Sequence, residues 1–184
     1  MTWRHRPGTA TIAAVISPVA SAVVHAVPVG AVYSLLLLAH VACAVVGFGA
    51  LAVTGVQARR ARRGPGAGGS EAVRRYFRPG VNWAGRALYG VPLLGFALVS
   101  ASNGAFAAGD GFVIAGLGLW SVAAVVAETV VWPGERRIQE VVTTTWEVTG
   151  GDGRFDLDCR RVAASAAVLS GVFLIAVVLM VAQP

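Results

Sequence analysis

Charged residues are scarce in this chain, and lysine is missing altogether. Only 13% of the 184 residues are charged, and all 15 basic residues are arginine. A soluble domain of this size carries about 25% charged residues. With 56% hydrophobic residues and a mean hydropathy of +0.69, the composition argues against a soluble domain and predicts an integral membrane protein.

Residues that bind metals or form disulfides are also few, with two cysteines, two methionines and three histidines. Cys43 lies near the middle of one apolar segment and Cys159 at the foot of another. Their heights therefore differ by more than the roughly 7 Å that a disulfide permits, and we expect two free thiols. No CxxC motif or Cys/His pair suggests zinc, and we expect no metal and no cofactor.

Motifs for catalysis and for nucleic-acid binding are lacking as well. The sequence contains no recognisable Ser/His/Asp set, HExxH motif, phosphate-binding glycine loop or pair of catalytic carboxylates. We therefore expect no catalytic residues and no enzymatic activity. The net charge of +6 lies mainly in two loops without any nucleic-acid-binding motif, so we expect no nucleic-acid partner.

Long apolar segments are what the chain has in abundance. A helix that crosses a bilayer needs about 20 apolar residues, and four segments qualify, at about 31–54, 83–106, 111–132 and 162–182. Each is apolar on all faces, which is typical of a span and not of a surface helix. We predict an all-α, membrane-embedded antiparallel bundle of four transmembrane helices that forms a single domain over residues 31–184.

The first 30 residues admit several interpretations. A basic start, MTWRHRPG, precedes an apolar stretch with a small-residue site at Ala20, Ser21 and Ala22, which is the outline of a signal peptide. The same stretch is long enough for a fifth helix, kinked at Pro18. A true start further along the chain is the third possibility. We expect a signal-like or extra N-terminal helix at 1–30.

Arginine placement predicts the orientation. The loop after the first span holds seven arginines and the loop after the third holds five, whereas the connection between spans two and three holds none. By the positive-inside rule, both arginine-bearing loops face the cytoplasm. We therefore expect a multi-pass protein of the bacterial inner membrane whose C-terminus lies outside.

The first loop has a flexible centre, GPGAGGS, with arginines on both sides. We expect these arginines to lie against anionic lipid headgroups, or to act only as ordinary determinants of orientation. They are Arg59, Arg60, Arg62, Arg63, Arg74, Arg75 and Arg78.

The second loop, at 133–161, carries charges of both signs. Pro133 is expected to end or bend the third span, and GERRIQEVV to form a short interfacial helix. Asp152, Asp156 and Asp158 are spaced somewhat like calcium ligands, but the glycine and the final glutamate of a calcium loop are missing. A solvated acidic loop is the better interpretation.

Small residues recur at helical spacing and would let helices approach closely in lipid. Within the second span, Pro92 leaves the carbonyl of Leu88 without its usual helical donor, so that carbonyl needs another partner inside the bundle. The small-residue ridges are Ala39, Cys43 and Gly47, then Ala163, Ala167 and Gly171, and finally Gly111 and Ala115.

Three ionisable residues, His40, Arg86 and Glu128, fall inside predicted spans, where such groups are costly and usually face the bundle interior. Spans two and three are antiparallel and joined by a short loop, which brings Arg86 and Glu128 to the same depth. We predict that these two residues pair. The alternative is that Arg86 extends to the headgroups while Glu128 is protonated or meets water.

His40 raises the question of a cofactor. A haem site needs a second axial ligand at the same depth, and no other histidine or methionine lies level with His40. A copper site would need a cluster of ligands, which the sequence does not offer around His40. A proton relay would need a chain of carriers, and Glu128 is expected towards the other membrane surface. We interpret His40 as a neutral imidazole that is hydrogen-bonded to Ser100, Ser102 or a backbone carbonyl.

The order of features resembles a known family. It runs AHVACAVVGFGALAVTG, an arginine-rich loop, YFRPGVNWAGRALYGVPLLGFAL, GLGLWSVAAVVAETVVWPGERRIQ and the ending VVLMVAQP. Over residues 33–184 this resembles the uncharacterised bacterial integral-membrane family called domain of unknown function 2269. The resemblance implies a four-helix membrane protein with no established activity, similar in outline to copper-resistance D-type proteins but with fewer possible ligands. The matching residues are His40, Gly47, Gly49, Arg86, Glu128 and Pro133.

Together these features predict a structural or accessory membrane subunit that packs against another membrane protein or itself, with the small-residue ridges supplying the contact. The alternative is a permease-like or redox- and metal-associated protein that uses His40 and Glu128.

Overall fold

The computed structural model describes residues 30–66, 68–149 and 152–182. Within those residues the backbone forms helices and turns and no strand. The expected signal-like or fifth helix at 1–30 falls, except for its last residue, outside the described residues.

Eight α-helices follow one another in the described residues. A 3₁₀ turn, Ala87–Tyr89, joins α3 to α4, and a π-helical turn, Ala127–Val131, joins α5 to α6. The helices are α1 (Ala31–Ala61), α2 (Ser70–Tyr76), α3 (Trp83–Arg86), α4 (Gly90–Ala101), α5 (Gly111–Val126), α6 (Trp132–Thr144), α7 (Trp146–Thr149) and α8 (Gly153–Val181).

Four continuous helical runs are long and apolar enough to cross a membrane. Span one is α1, span two is Trp83–Ala101, span three is Gly111–Thr144 and span four is α8. In the most apolar window of each run only 11–17% of the residues are buried within the protein. Such exposed apolar surface suits lipid, not water. The predicted four-helix transmembrane bundle is confirmed.

Span one lies between spans two and four, and span three packs on span four. Small residues set these contacts, because helices in lipid associate through close backbone approach. A Cβ built on Gly47 would lie 2.6 Å from the backbone nitrogen of Leu88 in span two. One built on Gly55 would lie 2.4 Å from the Cβ of Ala166 in span four. The small-residue ridge that contains Gly47 is thus used inside the bundle.

The arginine-bearing end of the bundle carries its own apolar core. It buries Val73, Phe77, Ile138, Val142 and Trp146 almost completely. We call this part the helical cap, comprising residues 58–66, 68–77, 134–149 and 152–159. Both arginine-bearing loops are therefore folded together, and the apolar cluster of the bundle continues into them.

The helix ends differ from the predicted span ends. The first helix continues to Ala61 and the last begins at Gly153, because the extensions are amphipathic and contribute buried residues such as Phe155 and Cys159 to the helical cap. Span two ends at Ala101, earlier than the predicted 106. The chain turns there through Asn103, which has a positive φ of 51°.

Pro133 does not end the third span, and the residues predicted to form a short interfacial helix, GERRIQEVV, are helical but belong to α6, which continues the same run. The helical run passes through Pro133 and continues to Thr144. Proline removes one backbone N–H and crowds the preceding turn, and here the preceding turn, Ala127–Val131, is π-helical. A wider turn of this kind is one of the ways in which a helix accommodates a local disruption.

The predicted solvated acidic loop is also wrong. The side chain of Asp152 caps α8, and Asp156 and Asp158 lie inside its first turns. Asp156 pairs with Arg62 of span one at 2.5 Å and with Arg160 at 2.7 Å. Carboxylates near a helix N-terminus are favoured by the helix dipole, and the pair with Arg62 holds the start of α8 on the end of α1.

Candidate functional site at the seam between spans two and three

The structure brings Arg86 and Glu128 together. Arg86 ends α3, Glu128 lies in the π-helical turn of span three, and the distance from Nη1 to Oε1 is 3.4 Å. The Arg86 side chain is 28% exposed and that of Glu128 48% exposed. The pair therefore lies near the outer surface of the bundle, where side chains of spans two and three meet.

Aromatic residues surround this ion pair. The hydroxyl of Tyr89 donates to the same Glu128 carboxylate oxygen. The guanidinium carbon of Arg86 lies 3.5 Å from the ring centroid of Trp132, which is a close cation–π contact. Tyr89 packs against Trp132 with ring centroids 5.9 Å apart. These contacts fix both charged groups at one position.

The carbonyl of Leu88 has a side-chain partner at the same seam. Trp120 Nε1 donates to Leu88 O at 2.9 Å, in addition to a backbone N–H at the end of the 3₁₀ turn, so this carbonyl stays bonded although Pro92 has no N–H to donate. Trp120 also meets Tyr89 edge to face, with centroids 6.4 Å apart. We call Arg86, Tyr89, Trp120, Glu128 and Trp132 the seam cluster, because their side chains join spans two and three.

A buried polar network, which the sequence reasoning missed, lies next to the seam cluster. The Glu135 carboxylate is only 4% exposed and accepts a hydrogen bond from Asn82 Nδ2 at 3.2 Å. Asn82 also donates to the Tyr76 hydroxyl at 3.2 Å, and that hydroxyl lies 2.5 Å from Thr54 Oγ1. The network thus connects span one, α2, the start of span two and span three.

Electrostatics keep Tyr76 neutral within this network. Burial raises the pKa of the Tyr76 phenol, and the nearby Glu135 carboxylate raises it further. Hydrogen bonds with Thr54 and Asn82 lower the pKa and only partly offset the rise.

One sequence signal could have indicated this buried polar network. Asn82 directly precedes a helix and its Oδ1 accepts from the backbone N–H of Gly85, as N-cap asparagines do.

His40 is bonded to a backbone carbonyl. Its Nδ1 lies 3.0 Å from Val91 O, and since a carbonyl only accepts, Nδ1 is the protonated ring nitrogen. Gly95 makes room for the ring, because a Cβ built there would lie 3.4 Å from His40 Cε1. The other two predicted partners, Ser100 and Ser102, donate to carbonyls of their own turn.

His40 and Glu128 lie closer in depth than the sequence suggested. His40 packs at Gly95 and Glu128 bonds to Tyr89, six residues away on the same span, which corresponds to roughly 9 Å along a helix. Tyr89 and Gly95 lie on either side of the middle of span two, so Glu128 lies towards the arginine-bearing end of the bundle and His40 towards the other end. Among the described residues, no group of three His, Cys, Asp or Glu side chains is placed to hold a metal ion. Both cysteines are free thiols.

The arginines predicted to meet lipid headgroups divide into two groups. Three are engaged within the protein: Arg62 pairs with Asp156, Arg75 pairs with Glu71 at 2.9 Å, and Arg74 pairs with Glu147. The others are exposed and form no ion pair with any residue the structure describes; they are Arg59, Arg60, Arg63 and Arg78.

No family model matches the chain, and neither a curated protein nor a solved structure is similar to it.

Proposed function

We propose that this multi-pass membrane protein is a non-enzymatic accessory subunit that packs against another membrane protein or a second copy of itself through span three. The observation that carries the proposal is the position of Glu128. Its side chain is 48% exposed, yet its neighbours in sequence, AVVA and TVVW, are apolar on both sides. A polar group at such a depth is costly against lipid tails, and a second protein would shield it.

The face of α5 above Glu128 fits a helix partner. Its residues are exposed at spacings of four and three, so they form one stripe along the helix. Three of them are small, which permits close backbone approach, and a Cβ built on Gly111 or Gly118 would meet nothing within 4 Å. We call this stripe the outer face of α5; it consists of Gly111, Ala115, Gly118, Val122 and Val125.

The other small-residue ridges contribute differently. Cys43 and Gly47 are occupied by span two, so they are not free for a partner. On span four, Ala163 packs inside the bundle, whereas Ala167 and Gly171 are exposed. The proposed contact therefore uses span three first, with the exposed part of span four beside it.

The proposal includes an orientation. Placing the helical cap in the cytoplasm agrees with the positive-inside rule, since twelve arginines lie in the two loops that fold into or flank it. Arg59, Arg60, Arg63 and Arg78 then lie where anionic headgroups attract them. A four-span bundle of this kind is also what the resemblance to domain of unknown function 2269 implies.

The test compares bulky substitutions at two exposed glycines. Gly118→Leu lies on the outer face of α5, and Gly49→Leu is the matched control on span one; neither added side chain begins with a clash. Native particle size is measured after extraction in mild detergent. After subtraction of the bound detergent, we expect the protein mass of wild type and Gly49→Leu particles to be well above the 18.9 kDa monomer and Gly118→Leu to lose the larger species. Wild type that runs as a monomer, or a Gly118→Leu variant with unchanged particle size, would overturn the proposal.

A second candidate is a permease-like or redox- and metal-associated protein that uses His40 and Glu128. The observation in its favour is the short vertical separation of these two groups, roughly 9 Å along span two. An absorption spectrum and metal analysis of the purified protein test it. A Soret band or stoichiometric copper that disappears in His40→Ala would establish this candidate in place of the first.

A further inference from the structure

We propose that a pocket between spans three and four binds the phosphate of an anionic lipid headgroup through Arg137 and Arg161. This site is separate from the seam cluster and does not rest on the proposed function. It also uses different arginines from those of the first loop.

The pocket has a volume of about 220 Å³ and lies where α6 leaves the π-helical turn. Because a water molecule takes about 30 Å³, this space accommodates a phosphodiester. Arg137 and Arg161 line it together with Asp158, and Val130 and Val162 provide apolar walls.

The charges of the pocket favour an anion. Arg137 Nε lies 3.3 Å from Asp158 Oδ2, and the Asp158 side chain is only 14% exposed. Both residues of this ion pair line the pocket. Arg161 is exposed and forms no ion pair within the described part of the chain. Two guanidinium groups therefore face one carboxylate, and guanidinium donors match phosphate oxygens in a bidentate geometry.

The depth of the pocket favours a lipid over a soluble anion. Arg161 immediately precedes Val162, after which span four contains no charged residue through 182. The two helices touch at this level, since a Cβ built on Gly134 would lie 2.4 Å from Val162 Cγ2. The arginines thus lie at the edge of the apolar span, beside walls that acyl chains can contact. This is the level at which arginine side chains reach headgroups.

The experiment counts the lipids that remain bound to the full chain in detergent, by native mass spectrometry with added phosphatidylglycerol. Arg161→Gln is the principal variant, because it breaks no described ion pair. Arg136→Gln is the control, an exposed arginine of the helical cap that likewise has no described ion-pair partner and does not line the pocket. Arg137→Gln is a second variant, and circular dichroism checks that each protein is folded.

We expect Arg161→Gln to weaken phosphatidylglycerol retention about tenfold, the effect of losing one hydrogen-bonded charged group, while Arg136→Gln retains the lipid as wild type does. Equal losses in the two variants would indicate diffuse attraction and overturn the site. Unchanged retention in Arg161→Gln and Arg137→Gln would also overturn it. Inorganic phosphate at the same concentration should not displace the lipid; if it does, the pocket takes soluble phosphate and the lipid assignment is wrong.

Discussion

Breaking the ion pair between Arg86 and Glu128 should reveal a measurable coupling energy. The changes are Glu128→Gln, Arg86→Gln and the two together. Each single change also removes other contacts, notably the stacking of Arg86 on Trp132. A double-mutant cycle cancels those separate losses and leaves the interaction between the two charges.

The expected magnitude follows from the geometry. At the 3.4 Å between Nη1 and Oε1, two unit charges attract by about 5 kcal/mol at an effective dielectric constant of 20, and by about 1 kcal/mol in bulk water. Because the Arg86 and Glu128 side chains are only partly buried and must be ordered to form the pair, the value at a dielectric constant of 20 is an upper limit. We expect a coupling of about 1–2 kcal/mol, above that of an ordinary surface pair.

The assay is reversible unfolding in mixed micelles, followed by circular dichroism for wild type and the three variants. Arg75 and Glu71 supply an internal control, since this pair is 68–69% exposed and spaced i,i+4 within α2. Its cycle should give only about 0.3–0.5 kcal/mol. A coupling between Arg86 and Glu128 no larger than that of the control pair would show that their ion pair adds nothing beyond an ordinary surface contact.

Three further sets of substitutions test the packing at Gly47, the hydrogen bond to the Leu88 carbonyl and the titration of Tyr76. Gly47→Ala should lower the free energy of unfolding by about 1–3 kcal/mol, because its methyl group would lie 2.6 Å from a span-two backbone nitrogen. Gly49→Ala, with open space around it, should not lower it, and equal denaturation midpoints for these two variants would contradict the packing. Trp120→Phe should cost about 0.5–1.5 kcal/mol, the net contribution of one hydrogen bond, because the Leu88 carbonyl loses its side-chain donor and keeps only a backbone one. Pro92→Ala should reduce the cost of Trp120→Phe by restoring a backbone N–H. An unchanged cost when Trp120→Phe is made together with Pro92→Ala would argue against the role of Trp120 as a donor to Leu88. The raised pKa of Tyr76 means that the folded state holds the proton more tightly, so stability should fall as pH rises above about 10. Tyr76→Phe should flatten that fall in a pH series of unfolding curves, and an identical decline would count against the buried phenol.

The number of spans could be predicted because bilayer thickness imposes a length on apolar segments. The ends of the helices could not, since they depend on packing outside the apolar segments. Phe155 and Cys159 lie in a stretch that also holds Asp156 and Asp158, and in sequence this stretch resembles a polar loop. Only the buried position of Phe155 and Cys159 in the helical cap explains why α8 begins so early.

At the candidate site, too, one part of the arrangement could be predicted from the sequence and another could not. Arg86 and Glu128 could be matched by counting residues along two antiparallel helices joined by a short loop. Glu135 could not be identified, because it stands beside two arginines in GERR and looks like a solvated residue. Its burial depends on the π-helical turn before it. One extra residue in a turn rotates the following helix by about 100°. Pro133 indicated a disturbance at this point of the helix, but not that it would take the form of a π-helical turn.

The most direct test of the central claim is a photo-crosslinking scan of α5 in native membranes, with a photoreactive amino acid placed at each position from 115 to 122. We predict intermolecular crosslinks that peak at Ala115, Gly118 and Val122 on the outer face of α5. They should fall at Gly116, which packs towards Met180 of span four. Crosslinks spread evenly over these positions, or absent from all of them, would contradict the claim that this face binds a second membrane protein.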